Sequence, residues 1–224
     1  MRTLLCYGDS NTHGSLPLPG PMLRPAATDP SLRNRLGADE RWPGIVRQRL
    51  GSEWLVIEEG LGGRTTVLDD PIDGVHKNGM RGLPIALETH RPIDLVVLML
   101  GTNDLKARFA MTAIDIARAN AALVERIIAS VANGPDGKRG PNVLLVAPPH
   151  VVEVGDQAEV RAGGAAKSQR FGTLFAAVAR IYGIPFFDAA SVIAPSPIDG
   201  VHFEAPEHLR LGNAIADKIL ALYA

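Results

Sequence analysis

The chain has 224 residues, of which 46% are hydrophobic and 21% are charged, and its 23 Lys and Arg residues nearly balance its 24 Asp and Glu residues. This composition is typical of a soluble globular protein, and the length suits one domain with loop insertions better than two full domains. A net charge of −1 and an aromatic content of 5% disfavour nucleic-acid binding.

The beginning of the chain and its apolar runs disfavour export and membrane insertion. Met1-Arg2-Thr3 leads quickly into a polar segment, so we expect no signal peptide. The longest aliphatic run, Leu95 to Leu100, is far shorter than the roughly 20 apolar residues of a membrane span. The lone cysteine, Cys6, excludes an intrachain disulfide and is expected to be a small buried hydrophobe. We therefore expect a cytoplasmic protein with no membrane partner.

Five short apolar runs predict β-strands. They lie at Leu4–Tyr7, Trp54–Glu58, Asp94–Leu100, Val143–Ala147 and Pro185–Phe187. Their hydrophobicity is nearly continuous rather than alternating, which indicates strands that are covered on both faces, as in a parallel sheet.

Helical segments separate these strands. The clearest is predicted from Thr112 to about Asn133, because Thr112 and Asp115 have capping-box spacing and apolar residues follow near a 3.6-residue period. Others are predicted at about Ser168–Tyr182 and from about Pro206 to the C-terminus. The alternation predicts a flavodoxin-like α/β/α sandwich of three layers with a five-stranded parallel sheet, formed by residues 1–224 as one domain.

Two segments exceed the usual length of connections in such folds. Residues 15–40 are rich in Pro, Gly and Arg, and residues 151–166 have no clean period. We expect these insertions to be lids, pocket walls or oligomer contacts.

Polar or glycine-rich clusters follow strands one, two, three and five. They begin at Gly8, Gly60, Gly101 and Asp199. Because ligands bind at the carboxyl ends of strands in an open parallel sheet, we expect the clusters to share one rim. Together they contain a hydroxyl, an Asp-His pair, an amide side chain and backbone N–H groups, which are the groups that acyl transfer requires.

Ser10, His202 and Asp199 are the candidate catalytic residues. A serine hydroxyl is a weak nucleophile until an imidazole takes its proton, and a carboxylate must fix the tautomer of that imidazole. Asp188, at the end of strand five, is a rival for the carboxylate role. We favour Asp199, because it lies three residues before His202 in the same loop. The N–H groups of Ser10 and Gly63 and the side-chain amide of Asn103 are the candidate oxyanion-hole donors.

Other residues near this rim are candidates for substrate binding or support. The candidate substrate-binding residues are Asn11, His13, Gly62 and Arg64. Arg64 and Lys106 either steer an anionic substrate or, as we favour, form surface ion pairs. We expect Asp9 and Asp104 to anchor their loops through hydrogen bonds to the backbone.

The sequence predicts no metal site and no cofactor. The remaining histidines lack the spacing to Cys, Asp or other His residues that metal sites require, so we expect them to be solvated or to cap helices: His76, His90, His150 and His208. No G-x-G-x-x-G follows strand one and no G-x-x-x-x-G-K-[ST] is present, which disfavours nucleotide binding.

Four blocks, in order, resemble the SGNH (GDSL-type) hydrolase superfamily. They are Gly8-Asp9-Ser10, Gly60-Leu61-Gly62-Gly63, Gly101-Thr102-Asn103-Asp104 and Asp199-x-x-His202. Flanking residues, such as Arg64-Thr65-Thr66 and Phe186-Phe187-Asp188-Ala189, resemble the branch of intracellular bacterial arylesterases, acyltransferases and carbohydrate acetylesterases. The similarity runs from about residue 2 to residue 222. Two positions depart from the pattern: Asn11 replaces the common Leu, and Gly62-Gly63 stands where relatives often have Ser or Ala.

This resemblance implies a metal-independent serine esterase that cleaves short-chain, acetyl-type esters of aryl, alkyl or sugar alcohols. An acyl-enzyme on Ser10 is implied, and so is acyl transfer to alcohols in place of water. The resemblance also implies a homo-oligomer in which the two insertions narrow the entrance to the site. Two alternatives stay open: a non-catalytic binding or scaffold protein for acylated ligands, and a lipase or thioesterase that acts on long acyl chains.

Overall fold

The computed structural model describes residues 1–18 and 34–224 and contains one parallel sheet of five strands in the order β2-β1-β3-β4-β5. The strands are β1 Arg2–Gly8, β2 Trp54–Gly60, β3 Leu95–Met99, β4 Asn142–Ala147 and β5 Phe186–Asp188. All five predicted strands are present, with ends within two residues of the predicted ones. The order is that of a doubly wound, flavodoxin-like sheet, so the predicted fold class is confirmed.

Helices connect the strands and cover both faces of the sheet. They are α1 Ser10–His13, α2 Trp42–Leu50, α3 Gly79–Thr89, α4 Ala113–Ile128, α5 Gly155–Val160, α6 Gly164–Ser168, α7 Phe171–Tyr182 and α8 Ala205–Tyr223. Among residues 1–18 and 34–224, no helix combines the length and hydrophobicity that a membrane span requires.

Two helix predictions need correction. The capping box of Thr112 and Asp115 is present, but α4 ends at Ile128 rather than near Asn133. The Ser130 hydroxyl donates to the carbonyl of Ile127, a local hydrogen bond that competes with continuation of the helix. Helix α7 begins at Phe171, because Ser168 ends the separate helix α6.

The structure describes the predicted insertion at 151–166 in full and the one at 15–40 only in part. Residues 151–166 are largely helical, and they showed no period because α5 has only six residues and α6 only five. The insertion predicted at 15–40 includes residues 19–33, which lie outside the described residues.

Side chains of β1 alternate between two separate hydrophobic cores. Leu5 and Tyr7 pack with residues of α3, α4 and α7, whereas Leu4 and Cys6 pack with residues of α2 and α8. Both faces are therefore apolar, which explains the continuous hydrophobic runs, and each fully buried leucine contributes about 1.5–3 kcal/mol of transfer free energy. The prediction that Cys6 is buried is confirmed, and burial raises the pKa of its thiol.

His208, on α8, is buried against α2 and caps that helix, which is one of the two roles expected of it. Its Nδ1 accepts the backbone N–H of Trp42, the first residue of α2, at 3.2 Å. A ring nitrogen that accepts this bond must be unprotonated. Burial, with a smaller contribution from the neighbouring His202, lowers the pKa of His208 to about 4.

We expect His208 to make folding sensitive to acid. In the unfolded chain His208 binds a proton below about pH 6.5, but in the folded protein only below about pH 4, so the free energy of unfolding falls as pH decreases through this window. The total loss is about 3 kcal/mol. His208→Asn keeps an acceptor for the Trp42 N–H without the titration, and urea unfolding at both ends of the window should show a weaker pH dependence for this variant. Equal pH dependence in both proteins would contradict the assignment.

The parallel strands bring their carboxyl ends to one edge of the sheet. Gly8 lies beside Gly60 on β2 and beside Met99 on β3 in the strand register. Three of the four predicted polar clusters therefore begin side by side at this edge.

Candidate active site

Ser10 begins α1 directly after β1. The side chain of Asp9 caps this helix by accepting the N–H of Asn11 at 2.9 Å, which confirms its expected anchoring role. Burial raises the pKa of Asp9, although the Asn11 N–H opposes the shift. Gly60 allows α1 to approach β2 closely, since a Cβ there would lie 2.2 Å from the backbone nitrogen of His13.

Ser10, His202 and Asp199 form a continuous hydrogen-bonded chain. The Nε2 atom of His202 lies 3.0 Å from Ser10 Oγ, and its Nδ1 atom lies 2.6 Å from Asp199 Oδ2. A carboxylate at Nδ1 selects the tautomer that carries the proton there, which leaves the Nε2 lone pair facing the serine hydroxyl.

The loop that carries Asp199 favours its ionised form. Burial works against ionisation, but hydrogen bonds from the His202 ring and from the N–H groups of His202 and Val201 outweigh it and hold the pKa of Asp199 below its usual value. The rival carboxylate, Asp188, instead accepts the N–H of Ala190 at 3.1 Å and caps a short turn. The geometry thus brings Asp199, and not Asp188, to the imidazole.

The loop from Asp199 to His202 is fixed from two sides. The side-chain amide of Asn11 donates to the carbonyl of Val201 at 3.1 Å, and the N–H of Val152 donates to the carbonyl of Gly200 at 2.8 Å. Asn11 is itself buried. Its side chain therefore links the nucleophile helix to the histidine loop.

Gly63 lies in a tight turn after β2. The N–H of Arg64 donates to the carbonyl of Leu61 at 3.0 Å, and Gly63 has a φ of +79°, a conformation that favours glycine. Gly62 differs, because a Cβ there would meet nothing within 4 Å.

The Asn103 amide lies between the other two candidate oxyanion-hole segments. Its Nδ2 donates to the carbonyl of Arg64 at 3.1 Å and contacts Asp9 Oδ2 at 3.4 Å. Arg64 follows Gly63 in the chain, and Asp9 precedes Ser10. Asn103 Oδ1 accepts from the Arg161 guanidinium at 3.4 Å. The structure thus brings the three predicted donors to one place.

Arg64 and Lys106 both form ion pairs, as expected, but both side chains are buried, so the expected surface location is wrong. The Arg64 guanidinium packs 4.1 Å from the centre of the Tyr7 ring and donates to the carbonyls of Gly8 and Glu59. Lys106 forms ion pairs with carboxylates from the 62–78 loop, those of Asp70 at 3.0 Å and Asp73 at 2.6 Å.

Asp104 anchors the 62–78 loop. Its carboxylate accepts both the N–H and the hydroxyl of Thr66, which confirms its expected role. Burial raises the pKa of Asp104 to about 6, despite these hydrogen bonds.

The remaining histidines have separate surroundings. His13 is half-buried at the end of α1, where its Nδ1 lies 3.2 Å from Ser15 Oγ, and burial lowers its pKa. His90 pairs with Glu59 at 3.0 Å, whereas His76 and His150 are exposed. In the part of the chain that the structure describes, no three His, Cys, Asp or Glu side chains are grouped so that they hold a metal ion.

Arg161 is a site residue that sequence reasoning missed. It follows α5 in the insertion at 151–166 and reaches the loop after β3, which is distant in sequence. Burial lowers its pKa to about 10, so the guanidinium stays charged at neutral pH. No motif or period marked this arginine among the 23 basic residues of the chain.

Fold and geometry together define a class: α/β enzymes with a serine, a histidine and a carboxylate aligned at the carboxyl edge of a parallel sheet. The chain belongs to the GDSL-like lipase/acylhydrolase family, whose model matches residues 6–211. No curated protein sequence matched the chain.

Solved structures agree with this family. An aryl esterase from M. smegmatis has 38% sequence identity and a TM-score of 0.89, with 99% of this chain and 100% of that chain covered. A carbohydrate acetylesterase from Sinorhizobium meliloti has 40% identity and a TM-score of 0.89, with the same coverage. A lipase/acylhydrolase from Enterococcus faecalis, at 18% identity and a TM-score of 0.65 over 98% of this chain and 95% of that one, shares the fold. The chain is a carboxylic ester hydrolase.

Proposed function

We propose that this chain hydrolyses short-chain acyl esters, acetyl esters foremost, of aryl, alkyl or sugar alcohols. The observation that carries the proposal is the hydrogen-bonded chain from Ser10 Oγ through the His202 ring to Asp199 Oδ2. The substrate class is supported by the similar structures, which are described as an aryl esterase and a carbohydrate acetylesterase.

Acylation begins at Ser10. Its Oγ attacks the ester carbonyl while Nε2 of His202 takes the hydroxyl proton, and Asp199 stabilises the resulting imidazolium. The tetrahedral oxyanion accepts hydrogen bonds from the N–H groups of Ser10 and Gly63 and from the Asn103 amide. The intermediate then collapses, and the alcohol leaves with the proton from His202.

Deacylation repeats these steps with water as the nucleophile. His202 takes a proton from water, the hydroxide attacks the acyl-enzyme carbonyl, and Ser10 leaves with the proton. An alcohol that takes the place of water accepts the acyl group instead, so the same intermediate supports acyl transfer.

We propose that direct substrate contact falls to His13 and to the backbone at Gly62. Asn11 and Arg64, the other two predicted substrate-binding residues, are buried and donate to backbone carbonyls of the Asp199–His202 loop and of the first two strands. We therefore propose that they support the site rather than contact the substrate. We also propose a single domain of residues 1–224 that works as a cytoplasmic homo-oligomer. Light scattering and cell fractionation test the last two properties.

A chain-length series tests the proposed substrate class. With p-nitrophenyl esters we expect the highest kcat/KM for acetate and propionate and a steep fall for longer acyl groups, and with acetylated sugars we expect release of acetate. Rapid mixing with the acetate ester should give a burst of p-nitrophenol stoichiometric with enzyme, because we expect the acyl-enzyme to form faster than it is hydrolysed. Activity that rises with chain length would instead identify a lipase or thioesterase.

A further inference from the structure

A buried arginine lies beside the amide that we assign to the oxyanion hole. Only 4% of the Arg161 surface is exposed. Each guanidinium nitrogen donates to an uncharged oxygen: Nε to the carbonyl of Thr102 at 3.4 Å, Nη2 to Asn103 Oδ1 at 3.4 Å, and Nη1 to Gln157 Oε1. Burial of a charge costs folding free energy, and uncharged hydrogen-bond partners offset that cost poorly. The attraction of the Asp9 and Asp199 carboxylates offsets only part of it, since the pKa of Arg161 stays lowered. Fold stability alone is therefore a weak reason for an arginine at this position.

The contacts of Arg161 determine how the Asn103 amide is oriented. An asparagine can present either its oxygen or its NH2 group to a neighbour, but a guanidinium only donates, so Oδ1 must face Arg161. On the opposite side, Nδ2 donates one hydrogen to the Arg64 carbonyl at 3.1 Å, so the NH2 group must face that side. Its second hydrogen makes only a longer contact with Asp9 Oδ2, at 3.4 Å, and is the one that would turn to the oxyanion. A flipped amide would aim its oxygen at the developing oxyanion and would repel it.

The charge of Arg161 also strengthens the Asn103 amide as a donor. A cation at Oδ1 draws electron density from the amide nitrogen, and in a buried site this polarisation passes along the hydrogen bond. The gain increases as negative charge develops on the substrate oxygen. Arg161 therefore favours the transition state over the bound ester, which raises kcat with little effect on KM.

We propose that Arg161 is a positioning residue for ester hydrolysis, which holds and polarises the Asn103 amide so that its NH2 group serves the oxyanion. The inference rests on the proposed function, because it requires Asn103 to be an oxyanion donor. It also gives the insertion at 151–166 a role in catalysis.

A double-mutant cycle tests whether Arg161 acts through Asn103. We would measure kcat and KM for p-nitrophenyl acetate hydrolysis by wild type, Arg161→Met, Asn103→Ala and the double variant. Asn103→Ala should lower kcat by about 10²–10³-fold, and Arg161→Met should lower it by about 10-fold with KM changed less than about twofold. In the Asn103→Ala background, Arg161→Met should have no further effect. Arg170→Met, which removes an exposed arginine, is the matched control and should behave as wild type.

A conservative variant keeps the test decisive. Arg161→Lys retains the charge but lacks the planar fork, so it should recover part of kcat, and it replaces Arg161→Met in the cycle if that variant does not fold. Three results would each overturn the inference. They are wild-type kcat in Arg161→Met, losses that multiply in the double variant, and a loss of kcat that equals the unfolded fraction. Wild-type kcat in Asn103→Ala would instead overturn the proposed oxyanion hole.

Discussion

Replacing Ser10 by Ala is expected to lower kcat for p-nitrophenyl acetate by about 10⁵–10⁶-fold and to remove the pre-steady-state burst. The hydroxyl oxygen is the atom that bonds to the acyl group, so no acyl-enzyme forms without it. The oxyanion-hole donors remain, and we expect them to leave a small rate above the uncatalysed reaction. Rapid-mixing absorbance measurements on both proteins check the burst, and steady-state assays check kcat.

Ser15→Ala is the matched control for this variant. Ser15 lies five residues further along the same segment and contacts His13 rather than His202, so its loss should leave the burst intact. Thermal unfolding of Ser10→Ala should match that of wild type. A full burst in a folded Ser10→Ala protein would remove Ser10 from the mechanism.

Replacing Asp199 by Asn is expected to lower kcat by about 10⁴-fold. The amide oxygen can still accept the N–H groups of Val201 and His202, so the loop from Asp199 to His202 keeps its conformation. The amide NH2 group would then face Nδ1 of His202 and favour the tautomer with the proton on Nε2. In that tautomer the imidazole has no lone pair for the Ser10 proton.

Asp188→Asn provides the matched comparison, because the same chemical change is made in the rival carboxylate. Its contact with the Ala190 N–H survives in an amide, so kcat should stay within about threefold of wild type. Steady-state assays of both variants at neutral pH decide between the two carboxylates. A large loss in Asp188→Asn with little loss in Asp199→Asn would reverse the assignment.

Much of the site was predictable because parallel strands end at one edge of the sheet. Once the strands were located, the clusters at Gly8, Gly60 and Gly101 had to lie together, and the sheet register confirms it. Local spacing also identified the capping box at Thr112, because both of its hydrogen bonds join residues of one helical turn.

The features that sequence reasoning missed depend on contacts between distant segments. Arg64 lies near the site in sequence, but only the fold shows that its guanidinium stacks on Tyr7 beneath the strand ends. The sequence pattern of α8 does not mark His208 as buried, because its burial follows from the packing of α8 against α2. Arg161 contacts a loop 58 residues away, and no local pattern encodes that distance.

The segment at 151–166 joins the two halves of the candidate active site. Its first part binds the histidine loop through Val152, and its end reaches the oxyanion loop through Arg161. Grafting a different version of this segment from a relative, to alter substrate scope, therefore affects proton transfer and oxyanion stabilisation together. Tolerated changes in length should fall between the Val152 anchor and α5, where Glu153 is exposed, because a change inside α5 would move Arg161 relative to Gln157.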